Sequence, residues 1–232
     1  MEKNLTKDVD ILNKISAKDH IINSIKAIIS AIPGVGGTFS SLINDYIPTK
    51  KQERLTKFLQ EISYELKKLS DCIDNDLIKK DEFAYIFEEC LKGVLNNYQA
   101  DKIYCYKGIF INSLIKDIEQ TEKEYYLYLV NSLTDLHIKI LSISNNPKAY
   151  FDAHSISEQQ IIHSSLRQVF SVAISEINIE LIKSAYQDLY NLGLINTDKS
   201  IFGTMTAAGG FEIVKGRITN TGKNFIEFCT NF

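Results

Sequence analysis

The sequence predicts a mainly α protein, with a multi-helix bundle over residues 1–144 followed by a small α+β module over residues 145–232. Three observations carry this reading. Apolar residues recur at steps of three and four along the first 144 positions, and nothing there alternates convincingly with period two. Asn145, Asn146 and Pro147 then punctuate the chain after a long periodic segment. Beyond them, a β-prone run over 211–214 and a turn at Lys215-Gly216 interrupt the helical pattern. The 232 residues are 44% hydrophobic and 24% charged, enough to bury a sizeable core and incompatible with a disordered or fibrous chain.

In chain order, Ile11, Leu12, Ile15, Ile21, Ile22, Ile25, Ile28, Ile29 and Ile32 mark a long amphipathic helix that Pro33 stops. A short second helix carries Phe39, Leu42, Ile43 and Tyr46 and ends before Pro48. Thr49 to Gln52 has the form of a capping box. It opens a third helix, whose stripe runs through Leu55, Phe58, Leu59, Ile62, Leu66, Leu69 and Ile73. Helices follow over 83–98, 102–115 and 122–141, the last with its own capping box from Thr121 to Glu124. In the second region, one or two helices cover 157–176. Another runs from Ile179 to a C-terminal stop at Gly193, and a last one covers 219–229.

The string Leu189-x-x-Leu192-Gly193-Leu194-Ile195, a variable hairpin, and Ile218-Thr219-x-x-Gly222-x-x-Phe225-Ile226-x-Phe228 resembles the end of a winged-helix domain. There a third helix is followed by the wing and a closing helix, so Lys215, Arg217 and Lys223 become the candidate wing contacts. The whole organisation, a helical region with a Gly-rich apolar break ending in this module, is similar to bacterial abortive-infection alpha-type proteins. That resemblance implies a part in phage defence.

Catalytic and cofactor chemistry find little support in the residues. Pro33-Gly34-Val35-Gly36-Gly37-Thr38 has clustered glycines, but no Lys-Ser/Thr pair follows, Phe39 stands where a dinucleotide fingerprint needs its third glycine, and a helix precedes it where a strand is required. A tight turn between packed helices suits it better. The acidic stretch 71–82 has the length of a calcium loop, yet Ile73 replaces a ligand and Asp76 the glycine. Ser113 and Lys116 match Ser-x-x-Lys only in the middle of a helix. His20, His137, His154 and His163 form no His-x-x-x-His pair, and Cys72, Cys90, Cys105 and Cys229 form no Cys-x-x-Cys, so neither a metal nor a cofactor is expected. Asp152 and His154, beside a linker, are the best-placed residues for any chemistry.

Partners are constrained by charge. The 26 Lys+Arg and 29 Asp+Glu give a net charge of -3, with no field to attract nucleic acid or anionic lipid. Residues 145–232 hold seven basic and eight acidic residues, 7 - 8 = -1, and the helix that would enter a DNA groove sets Lys183 against Glu180 and Asp188. A protein partner, or a second copy of the chain, is therefore expected ahead of nucleic acid, and no small-molecule substrate is inferred. A winged-helix DNA-binding regulator is the alternative.

The N-terminus mixes acids and bases without a signal-peptide pattern, which predicts a cytoplasmic protein. Residues 27–44 are 18 positions without a formal charge, near the lower limit of a membrane span, with Pro33 and three glycines in the middle. A hairpin released conditionally into a membrane or onto a partner is expected there, with Ile28, Ile29, Pro33, Gly34, Gly36, Gly37, Phe39 and Leu42 as candidate contacts. Releasing half a dozen such side chains into water costs on the order of 10 kcal/mol, so the event requires a trigger.

Overall fold

The computed structural model describes residues 49–69, 80–161, 165–204 and 210–232. The candidate membrane or partner segment, from Ile28 to Leu42, lies outside the described residues. Nine α-helices and three 3-10 turns make up the described elements: α1 (Thr49–Lys68), α2 (Asp81–Asn96), α3 (Ala100–Ile115), α4 (Gln120–Ser132), α5 (Asp135–Asn145), α6 (Pro147–Ala153), α7 (Leu166–Ala173), α8 (Ile179–Asn191) and α9 (Asn220–Thr230). They belong to two compact units. Of the described residues, one holds 49–69, 80–98 and 106–127, the other 99–105, 128–161, 165–204 and 210–232.

In the first unit, Leu55, Phe58, Ile62 and Leu66 of α1 face α2, whose buried set is Phe83, Ala84, Ile86, Phe87, Cys90, Leu91, Gly93 and Val94. The 3.6-residue period of both stripes makes this packing possible. Residues 106–114 of α3 are buried on every side, as expected of a helix with little amphipathicity. Phe110 sits 5.5 Å from Phe83 and 5.1 Å from Phe87, ring centre to ring centre. Tyr106 covers Gly93 so closely that a Cβ there would lie 2.2 Å from its ring.

The second unit packs α5 against α6, α8 and α9, and α7 against α8. Phe170, Tyr186 and Phe202 form an aromatic triad with centroids 5.1–5.9 Å apart. Four of its helix starts are capped by a local side chain. Asn146 caps α6 through Ala149 N–H, Ser165 caps α7 through Gln168 N–H, Asn178 caps α8 through Glu180 N–H and Thr219 caps α9 through Gly222 N–H. Helix α8 ends as predicted at Gly193. Its φ is +70°, Gly193 N–H donates to Tyr190 O and Leu194 N–H to Leu189 O, both at 2.9 Å, the paired bonds of a Schellman stop.

Two expectations are corrected. The α+β, winged-helix-like module over 145–232 does not form, because no strand and no sheet exist among the described residues. What remains of the hairpin is one antiparallel bridge, Ile195 with Ile218, flanked by Asn196 N–H to Arg217 O and Thr219 N–H to Leu194 O. The run predicted as a strand coils into a 3-10 turn over Gly210–Ile213. Phe211, Ile213 and Val214 are all buried, Phe211 stands edge-on to Phe151 at 5.1 Å, and Phe211 O accepts from both Val214 and Lys215 N–H. A strand turns alternate residues outward and cannot bury adjacent Ile213 and Val214 on one face, whereas a helical turn can. The second correction concerns 122–141, predicted as one helix. It is two, α4 and α5, and the capping box lies at Thr134 and His137, while Thr121 falls inside α4.

Candidate functional site

The first unit carries an open cleft of about 510 Å³ at the start of α2 and the α3–α4 connection, lined by Lys80, Glu82, Asp117, Ile118, Glu119, Gln120, Glu122 and Lys123. Lys80 is the N-cap residue of α2, and its carbonyl accepts from Phe83 and Ala84 N–H. Glu119 O accepts from Glu122 and Lys123 N–H, closing the first turn of α4 and placing Glu119, Glu122 and Lys123 together. Four carboxylates against two ammonium groups make the wall acidic. Glu122 accepts a hydrogen bond from the Tyr126 hydroxyl one turn later.

Lys123 stands out because it is buried, 6% exposed. It occupies the inward register of α4 with Tyr126, Leu127 and Val130, and its Nζ donates to Ser113 O at 3.3 Å, near the C-terminal end of α3. A cation at that end complements the helix dipole. Burial pushes its amine below the usual lysine value, opposed by Asp117 and aided by Lys80. Arg54 repeats the arrangement on Leu95 O near the end of α2, and in the second unit buried Lys102 donates to Leu133 O at 2.7 Å and Asn131 O at 3.3 Å, around the C-terminal end of α4. Burial lowers the Lys102 amine too. Sequence reasoning missed both lysines, although a Lys at a core position of an apolar stripe is a readable signal: 102-105-106-109 and 123-126-127-130 each begin with one.

The second unit holds two polar groupings. His137 Nδ1 accepts from Thr134 N–H at 3.1 Å, which puts the ring proton on Nε2, facing Asp188 of α8 at 3.6 Å. Burial holds this imidazole below its ordinary range, only partly offset by Asp188. Around Tyr150, Lys139 pairs with Asp135 at 3.2 Å and Glu176 at 3.7 Å, and the His154 ring stacks on Tyr150 at 4.0 Å. Burial and then Asp135 raise the Asp101 carboxyl above its usual value, and burial with Asp101 pushes the Tyr150 phenol up to about 12. Of the pair singled out for chemistry, His154 belongs to this grouping, while Asp152 is an exposed side chain whose carbonyl accepts from Ser155 N–H. No group of three or more potential metal ligands occurs among the described residues. Ser113 of the Ser-x-x-Lys match is buried, and its hydroxyl donates to Ile109 O in its own helix.

The candidate wing cations are all described. Lys215 pairs with Glu212, Lys223 lies 3.9 Å from Glu227, and Arg217 Nε donates to Ile213 O, so each cation is matched by a local acceptor.

A surface feature that the sequence reading did not single out completes the inventory. The large apolar side chains exposed among the described residues are Leu181 and seven tyrosines, including Tyr64, Tyr85, Tyr98, Tyr125 at 38% and Tyr128 at 55%. Tyr125 and Tyr128, three positions apart, share the exposed face of α4 with Thr121, Glu124, Asn131 and Ser132. Comparisons with protein-family models, with curated proteins and with solved structures find no match to this chain.

Proposed function

We propose that this chain is a non-enzymatic interaction protein that acts by contacting another protein, with the tyrosine-bearing face of α4 as one contact surface. The observation that carries the reading is the exposed apolar set itself, seven tyrosines and a leucine. Tyrosine supplies a large rigid contact area with a polar tip that tolerates water, which is why protein interfaces are enriched in it. The local pairing of Lys215 and Lys223 with carboxylates supports protein contact over phosphate contact. A role in phage defence rests on the resemblance in organisation alone. Conditional membrane contact rests on the uncharged sequence over 27–44, and no helix among the described residues is long and apolar enough to cross a membrane.

Photo-crosslinking amino acids placed at Tyr125 and Tyr128 in the producing cell test the reading against the same probe at exposed Glu158. A discrete protein adduct from the α4 positions, absent from Glu158 and weakened by replacing the other tyrosine with Ser, is expected. Sedimentation of the purified chain then tells a second copy from a different partner. No adduct at either tyrosine, with a monomer at every concentration, overturns it. Plating phage on cells with and without the intact gene checks the defence component separately.

A further inference from the structure

We propose that the acidic cleft at the α3–α4 connection is a binding site for a small uncharged or cationic aldehyde or ketone, held covalently as an imine on Lys123. The geometry starts from the cleft, about 510 Å³ and open to solvent, with Lys123 among its lining residues. Its amine lies within electrostatic reach of the cleft wall. The two charged groups that act on it, Asp117 and Lys80, are themselves cleft walls, and its hydrogen bond to Ser113 O uses one N–H while leaving the rest of the nitrogen uncommitted.

An imine-forming lysine needs a nitrogen that is unprotonated for an appreciable fraction of time, and burial is the usual means of obtaining one. Lys123 is buried and its amine is lowered, with desolvation as the leading cause. Lys92 is the opposite case, its ammonium held charged by the hydrogen bonds it donates to Glu88 and Glu89. In the reaction, the lone pair of neutral Nζ attacks the carbonyl carbon and a C–N bond forms as the carbonyl π pair moves to oxygen. Protons pass from nitrogen to oxygen through the solvent in the open cleft, and the oxygen leaves as water carrying both amine hydrogens. No oxidant or reductant takes part. Glu82, Asp117, Glu119 and Glu122 in the wall disfavour an anionic carbonyl compound, which sets the ligand class.

Reductive trapping on the full chain tests this. The folded protein is incubated briefly near pH 7 with propanal or with anionic glyoxylate, in the presence of cyanoborohydride, and modified lysines are located by peptide mass spectrometry. A lowered amine is neutral for a larger fraction of time, so propanal should label Lys123 several-fold faster than exposed Lys148 and leave Lys92 unmodified. Lys102, equally buried but holding two carbonyls, controls for the cleft and should stay unlabelled. Labelling of Lys123 should saturate with propanal and be slower with glyoxylate. Lys123→Arg keeps a donor for Ser113 O and should fold, as judged by circular dichroism, without the saturable adduct. Lys123 labelled no faster than Lys148, or matched by Lys102, overturns the site, and faster labelling by glyoxylate overturns the ligand class. Failure of this test leaves the α4 contact surface untouched, since Tyr125 and Tyr128 take no part in it.

Discussion

Replacing Gly222 by Ala isolates a close approach of two backbones in the second unit. Gly222 lies in the first turn of α9, and a Cβ there would meet Leu194 O at 2.2 Å and both Leu194 C and Ile218 Cγ1 at 3.0 Å. Ordinary carbon–oxygen contact requires a separation roughly 1 Å longer, so α9 must move away from the Ile195–Ile218 bridge. That movement strains Thr219 N–H to Leu194 O and Thr219 Oγ1 to Gly193 O, bonds of 3.0 and 2.7 Å that tie the helix start to the α8 stop. Losing one such bond is worth about 1 kcal/mol and overpacking another 1–3 kcal/mol, while Ala regains up to about 1 kcal/mol of helix propensity. The expected net destabilisation is about 1–4 kcal/mol, read as a lowered urea midpoint by circular dichroism. Two further substitutions separate the causes. Gly193→Ala has open space but a φ of +70°, and should cost about 1 kcal/mol. Gly203→Ala has open space and no positive φ, and should lie within about 0.5 kcal/mol of the parent. A Gly222→Ala protein as stable as the parent refutes the close approach.

Stability should fall in acid through His137, whose folded pKa lies below its ordinary 6.5: the unfolded chain binds the proton more readily, so the contribution is complete above pH 6.5 and is lost as pH drops through and below that value. His137→Gln should flatten this part of a pH series of urea midpoints, and an unchanged slope would refute the assignment. Cys90, Cys105 and Cys229 are wholly buried thiols, and burial pushes the Cys90 thiol well up from its ordinary value. A thiol reagent such as Ellman's should therefore modify them only as the protein unfolds, with a rate that follows unfolding and not reagent concentration; prompt modification of Cys90 in the folded protein would refute its burial.

Helix existence was legible in the sequence because backbone hydrogen bonding four residues apart and side chains every 3.6 residues are local properties. Phe83, Phe87, Cys90 and Val94, or Ile182, Tyr186 and Leu189, declare their buried face without any neighbour. The stop at Gly193 and the start at Thr219 were legible for the same reason, since φ > 0 and a side-chain cap are set within a few residues. The break between α4 and α5 was not, because Leu129, Val130, Leu133, Ile140 and Leu141 keep the helical phase across it. The buried Lys102 ammonium on Asn131 O and Leu133 O, with Thr134 and His137 capping each other, marks the break, and the lysine arrives from 29 and 31 residues away. The run at 211–214 has a composition that suits strand or turn, and it coils because Phe211 meets Phe151 and no partner strand occurs among the described residues. The cleft around Lys123 likewise exists only in three dimensions: Lys80 and Glu82 come to it from one helix start, and Asp117 to Lys123 from a connection more than thirty residues later. Sequence alone determined the helices and several of their ends, and tertiary contacts decided where a helix divides, whether a short apolar run extends or coils, and which charges are taken out of water, because those outcomes depend on neighbours that local chemistry does not specify.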